Sequence, residues 1–411
     1  MRKLKSIFLT VLIVTLCFIL FLGLMEIIFR MTRGTPNPLA DVTQTRSDTL
    51  LTPNEIIHNR SSINGEFETT IRINSLGYRG HDFSVTKPQG SIRILAIGDS
   101  FTFGVGANDD QTIPAVMAHE LIAQGYTAEV INAGIGHESP IRHWDNLERL
   151  HLKYHPDIVL LFFDLTDLWD DWHWERHAVW NKQGMIDRFD LAYINGKRDW
   201  WATLVQYSAF CKWFDEKGIR MFEKLNLLGF KKYSQLKKDG ARAKAEIINS
   251  YNKIPDDTII KFDGLALMRG RERSRLILKH WDRTTKYLSK IRDLLAEKNI
   301  PFIIVMYPHG IYVGEDQWNE GRKTWGFEQN KKYTDYYPFE LMDQYTKKAQ
   351  IPFINTLSGF LTAPKQKYFH DWDGHMTAAG YKLVAEQVVA NAVFQNLLKQ
   401  TALGDKNNAP R

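Results

Sequence analysis

Hydrophobic and polar positions divide this chain into three regimes. The first is an uncharged run over residues 7–25, preceded by Arg2, Lys3 and Lys5. At 1.5 Å per residue these 19 residues make a helix of roughly 28 Å, about the hydrocarbon thickness of a bilayer. The run passes into Gly23-Leu24-Met25-Glu26-Ile27-Ile28-Phe29-Arg30 with no small-x-small cleavage site. Residues 1–33 therefore read as an uncleaved signal anchor and not as a removed signal peptide. Residues 34–65 are polar, carry Pro36, Pro38 and Pro53, and show little periodicity, which reads as a tether.

The second regime opens with alternation through Ile71 and Ile73, a strand, and Asn74-Ser75-Leu76-Gly77, a turn. From residue 92 short apolar runs alternate with helical patterns. Strands are expected at 92–97, 128–132, 158–163, 301–306 and 351–354. Helices are expected at 114–124, 145–154, 281–298 and 378–398. The run Ile158-Val159-Leu160-Leu161-Phe162-Phe163 is continuously apolar, as parallel strands are when both faces are covered. The rhythm predicts an α/β fold with a mostly parallel, doubly wound sheet. The third regime, residues 172–273, interrupts it with a stretch rich in Trp, Lys and helix formers. It reads as a helical insertion capping the carboxyl edge of the sheet. The catalytic domain then spans 66–400 and a flexible tail 401–411.

Composition changes this picture little. At 44% hydrophobic and 24% charged, the chain has a sizeable core. The net charge of +6 is modest, and the basic cluster from Lys224 to Lys244 reads as a solvated helical surface. No nucleic-acid-binding module accompanies it, so nucleic acid is excluded as a partner. Of two cysteines, Cys17 lies in the apolar run, so no intrachain disulfide is expected. Leu16 precedes it where a lipidation site needs a small residue. The basic N-terminus favours a cytoplasmic start and an exported body, while Arg30 and Arg33 on the far flank pull the other way.

Candidate chemistry begins where the strand at 92–97 ends in Gly98-Asp99-Ser100 and passes into a turn through Gly104. Open α/β sheets bind ligands at the carboxyl ends of their strands. Ser100 stands there as a nucleophile, given a base. The base is found in Asp373-Gly374-His375, just before Thr377, the expected N-cap of the last helix. Asp373 folds back on Nδ1 of His375, leaving Nε2 for the serine proton, with Asp371 as the fallback acid. Isolated Asp-x-His triplets are common, and it is the placement between last strand and last helix that singles this one out. His309 follows a strand and lines the same edge. Trp169, Trp172, His173 and Trp174 are either core or a sugar-stacking platform. No paired metal-ligand spacing and no phosphate-cradling loop is present, so neither metal nor cofactor is expected.

Taken in order, these blocks resemble the SGNH (GDSL) hydrolase superfamily. The resemblance covers residues 70–170 and 280–395. It rests on the lead-in Asn74 to Gly80, the nucleophile block Gly98 to Gly104, and Val130-Ile131-Asn132-Ala133-Gly134. Pro156-Asp157-Ile158-Val159 and Asp373-Gly374-His375 with Ala379-Gly380-Tyr381 complete it. It implies a three-layer α/β/α flavodoxin-like sandwich and acyl transfer through a serine ester.

The resemblance also implies an oxyanion hole. Its donors are the N–H of Ser100, a second-block N–H at Gly136 or His137, and a third-block side chain that falls on Thr166, where the family carries Asn. The Asp373 spacing is similar to that of bacterial polysaccharide O-acetyltransferases of the alginate-modifying type. The implied protein is a single-pass bacterial inner-membrane enzyme with its domain in the periplasm, hydrolysing an acylated carbohydrate, a cell-envelope glycan or a small ester. The alternatives are an O-acyltransferase working with a membrane acyl-donor protein on an exported polysaccharide, and a non-catalytic glycan-binding or assembly protein.

Overall fold

The computed structural model describes residues 2–33, 50–61, 65–189, 278–325 and 327–407, with positions 208, 210, 268, 270 and 271. The chain divides into two compact units, residues 1–46 with 188–241 and residues 47–187 with 242–411. In the first, the longest described element is the helix α1 (Arg2–Arg33). Its side chains are described only from residue 13. Among them Ile13, Val14, Leu16, Phe18, Leu20, Phe21 and Leu24 are exposed. Among the described residues no helix is long and apolar enough to cross a membrane.

The second unit holds a five-stranded parallel sheet. After an antiparallel hairpin of β1 (Ile56–Arg60) and β2 (Glu68–Arg72) come β3 (Ile92–Gly98), β4 (Ala128–Gly134), β5 (Ile158–Phe163), β6 (Phe302–Met306) and β7 (Phe353–Asn355). Their order in the sheet is β4-β3-β5-β6-β7. Counting from β3, this is 2-1-3-4-5, the flavodoxin-like order, whose switch point lies beside the first strand. Every residue of β3, β5 and β6 is buried, because helices cover both faces. One set is α3 (Ile113–Ala123), α9 (Ala378–Ala390) and α10 (Ala392–Asn407). The other is α4 (Pro140–Asn146), α5 (Asp167–His177) and α6 (Leu278–Glu297).

Several boundaries depart from the sequence pattern for local reasons. The tether expected over 34–65 ends early, since residues 56–60 pair with β2. The helix expected over 145–154 starts at Pro140, preset for a first helical position, and loosens into π and 3-10 turns through Tyr154. The closing helix breaks at Asn391, whose extended backbone ends α9 while its side chain accepts the N–H groups of Val393 and Phe394. Helix α10 then continues to Asn407, through most of the expected tail. Of the expected helical insertion, the described beginning is α5 followed by extended segments at Ala178–Trp180 and Ile186–Phe189. Most of the remainder, with the Lys224–Lys244 cluster, lies outside the described residues, as do Cys211 and the tether positions 34–49.

One charged residue ties down the amino end of the sheet. Arg93 on β3 is fully buried. Its guanidinium donates to Glu129 at 2.7 and 2.9 Å, and to the carbonyls of Tyr154 (2.7 Å), Ser84 (2.7 Å) and Val85 (3.2 Å). Arg93→Ala leaves these acceptors without their donor, and losing one side of a buried ion pair costs about 3 kcal/mol or more. Urea unfolding is expected to show that loss as a lower midpoint at unchanged slope.

Candidate active site

Strand β3 stops at Gly98 because the next turn leaves no room for a side chain. A Cβ there would meet Thr102 Oγ1 at 2.1 Å and the Phe162 carbonyl at 2.9 Å, and one at Gly134 would meet the Phe103 nitrogen at 2.2 Å. The two glycines let the short helix α2 (Ser100–Phe103) sit directly on the ends of β3 and β4. Asp99 caps it by accepting the Phe101 N–H at 2.9 Å, and Gly104 ends it with a left-handed φ of 94°. Ser100 is thus the first helical residue, at the carboxyl edge and beside the switch point. Arg79, from the lead-in, locks the following turn. It donates to the carbonyls of Phe103 and Gly104 (2.8 Å each) and Ala107 (2.6 Å), and to Asp109 (3.1 Å).

The loop before α9 supplies the partners. Thr377 is the N-cap of α9, accepting the Gly380 N–H. The loop is held as a bridge between Phe369 and Met376, with the His370 N–H donating to the His375 carbonyl at 2.9 Å. His375 Nε2 lies 2.8 Å from Ser100 Oγ, and His375 Nδ1 is hydrogen-bonded to Asp373 Oδ1. With the Nδ1–H donated to Asp373, Nε2 is the acceptor for the serine hydroxyl. Burial works against the Asp373 carboxylate, but the hydrogen bonds and charge of His375 outweigh it and its pKa is lowered. Gly374 between them has φ of 92°, and a Cβ there would lie 2.6 Å from Trp318 Nε1. Asp371, the fallback acid, is turned away to Lys367 at 2.8 Å.

The oxyanion side is only partly as the sequence suggests. The N–H groups of Ser100, Gly136 and His137 have no acceptor among the described residues. Gly136 borders open space, and His137 takes a left-handed φ of 61° with its carbonyl held by Trp174 Nε1 at 2.8 Å. Thr166 is a correction. Its hydroxyl donates to Asp164 Oδ1 at 2.6 Å and its N–H to the same oxygen at 2.7 Å, so its proton is not directed at an acyl oxygen. Asp164 also binds His309 Nε2 at 2.8 Å. His309 in turn packs edge-on against Phe101 (5.5 Å), whose ring also faces Tyr307 (5.0 Å) and His375 (4.7 Å). Trp169 and Trp172 pack together at 4.7 Å on α5 and stay part-exposed with His173 and Trp174.

Sequence reasoning missed the layer of carboxyl groups under this edge: Asp99, Asp164, Asp167 and Asp171, all buried. Burial, then the charge of Asp164, raises Asp99. Burial, then Asp99 and Asp164, raises Asp167. Asp164 itself is lowered, because His309 and Thr166 outweigh its burial. The only sequence signal was the density of Asp in 164–171. No group of three or more His, Cys, Asp or Glu able to hold a metal occurs among the described residues.

The family model of the GDSL-like lipase/acylhydrolase family matches residues 96–383, and the chain belongs to that family. No protein of curated function matches it. Similar solved structures include the acetyl xylan esterase AlAXEase, at 15% identity over 72% of this chain and 97% of that one, TM-score 0.35. A two-domain esterase active on acetylated mannans matches at 12% identity over 75% of this chain and 50% of that one, TM-score 0.34. A lipase/acylhydrolase from Enterococcus faecalis matches at 13% identity over 75% and 96%, TM-score 0.32.

The acid layer has a measurable signature. Burial pushes Asp171 up to about 7, although its Oδ1 accepts the Ile141 N–H at 2.9 Å. The unfolded side chain, with a pKa of about 3.9, loses its proton first. Between about pH 4 and pH 7 the unfolded state therefore holds fewer protons, and stability falls as pH rises. Asp171→Asn keeps the acceptor oxygen and removes this titration. It is expected to stabilise the protein by about 2 kcal/mol or more at pH 7 and hardly at all at pH 4, read by urea unfolding at both values.

Proposed function

We propose that this member of the GDSL-like lipase/acylhydrolase family is a serine ester hydrolase in which Ser100, His375 and Asp373 carry the reaction. The observation that supports it is the hydrogen-bonded series Ser100 Oγ, His375 Nε2, His375 Nδ1, Asp373 Oδ1 at the carboxyl edge of the sheet. Ser100 Oγ attacks the acyl carbonyl carbon as its proton passes to Nε2. Asp373 holds the ring and stabilises the imidazolium. The negative charge on the tetrahedral oxygen is met by the N–H of Ser100 and by that of Gly136 or His137, without the Thr166 hydroxyl. Such preorganised donors are each worth about 10²–10³ in rate. Collapse expels the alcohol, which takes the proton from Nε2. Water, deprotonated by His375, then attacks the acyl-enzyme, and collapse breaks the bond to Ser100 Oγ and releases the acid as His375 returns the proton to that oxygen.

The substrate in this reading is an acylated carbohydrate or cell-envelope glycan. The part-exposed Trp169, Trp172 and Trp174 next to the third strand support it, since flat rings suit sugar faces. The 19-residue uncharged run of α1 and its exposed apolar side chains support an extracytoplasmic domain anchored in the inner membrane by this one helix. The acceptor in this reading is water.

Turnover of p-nitrophenyl acetate and of acetylated xylan tests this account. Ser100→Ala and His375→Ala are expected to abolish it, and Asp373→Asn to lower kcat by about 10⁴-fold. Hydrolysis that survives Ser100→Ala contradicts the assignment. Acetyl groups appearing on an added oligosaccharide, in place of free acetate, would make a sugar hydroxyl the acceptor.

A further inference from the structure

The loop that carries Asp373 is held by a segment outside the residues matched by the family model. Two residues before β2, Glu66 turns its carboxylate onto that loop. The Trp372 N–H donates to Glu66 Oε1 at 2.9 Å and the Asp373 N–H to Oε2 at 2.8 Å. These partners are 306 and 307 positions apart in sequence. Two oxygens of one carboxylate on two successive N–H groups fix both the height of the loop and the orientation of its peptide planes. A charged acceptor makes such bonds stronger than neutral ones.

Neighbouring contacts seat the hairpin at the same point. Phe67, buried, lies 4.9 Å from the His370 ring. The His370 Nε2 comes within 2.8 Å of the place a Cβ would take on Gly106, in the turn that follows Ser100. The far side of the loop is fixed one residue earlier, where the Gly321 N–H donates to the Asp371 carbonyl at 2.7 Å. At Trp372 and Asp373 themselves, Glu66 is the acceptor that the described backbone N–H groups use. Asp373 spends its own carboxylate on His375 and so cannot hold its own backbone from outside.

We propose that Glu66 is a positioning residue of the active site, holding the backbone of Trp372 and Asp373 so that the Asp373 carboxylate meets His375 Nδ1. This rests on the reading of Ser100, His375 and Asp373 as the catalytic groups. It also gives the hairpin of β1 and β2 a role: the segment that precedes the family-matched region sets the acid of the relay.

The test uses the full chain with Glu66→Ala and Glu66→Gln, p-nitrophenyl acetate turnover, and the rate of fluorophosphonate labelling. Misplacing a catalytic group by an ångström costs about 10²-fold, so Glu66→Ala is expected to lose about that in kcat and in labelling rate. KM stays within about two-fold, because substrate contacts are untouched. Glu66→Gln keeps one acceptor oxygen and the same size, and falls between wild type and Ala.

If Glu66→Ala fails to fold, Glu66→Gln decides alone. A reactive wild type, with a folded Glu66 variant of unchanged kcat and labelling rate, overturns the assignment of Glu66 alone. A wild type with neither turnover nor labelling overturns the catalytic reading, and the Glu66 assignment with it.

Discussion

A 2.8 Å hydrogen bond between Ser100 and His375 joins residues 275 positions apart, and the order of the fold is what makes it possible. The serine stands at the end of the first strand of the sheet. The histidine stands on the loop that leads into α9, which packs against α3. Their meeting requires that β3 end without side chains in the way, hence Gly98 and Gly134, and that the returning loop be tight, hence Gly374. Each glycine sits where a Cβ would collide with a neighbour within 3 Å. The backbone that brings the groups together is thus specified by what these positions lack.

Under that edge the protein buries an unusual amount of acid. Asp164 is lowered because His309 and both donors of Thr166 outweigh its burial, while Asp99 and Asp167 are raised by burial first and by their acidic neighbours second. The Asp164 carboxylate takes the Thr166 hydroxyl on one oxygen and is hydrogen-bonded to His309 on the other. In the proposed reaction the oxyanion is left to backbone N–H groups, held on one side by the α2 turn and on the other by Trp174 clasping the His137 carbonyl.

Much of this was legible in the sequence, and the rest was not for physical reasons. The buried strands announced themselves, because a run such as Ile158 to Phe163 has no other use than a covered parallel strand. Ser100, His375 and Asp373 were legible because each sits next to a local signal, a strand end or an N-cap. Spacing cannot tell which acceptor the Thr166 hydroxyl takes, and in the fold that acceptor is Asp164, two residues away. Glu66 is invisible in the sequence: it stands one residue past the polar tether, and nothing there indicates that its carboxylate meets a loop three hundred residues on. The break at Asn391 was missed because the apolar pattern continues through it, while the side chain caps the helix that follows.

The central claim is that Ser100 is an activated nucleophile, its proton drawn by a histidine that Asp373 orients. Mass spectrometry of the intact protein after exposure to a fluorophosphonate, followed by peptide mapping, reads this directly. The account predicts a single phosphonyl adduct on the peptide containing Ser100, absent from Ser100→Ala and strongly slowed in Asp373→Asn. An unlabelled wild-type protein, or an adduct on another residue that persists in Ser100→Ala, would contradict it.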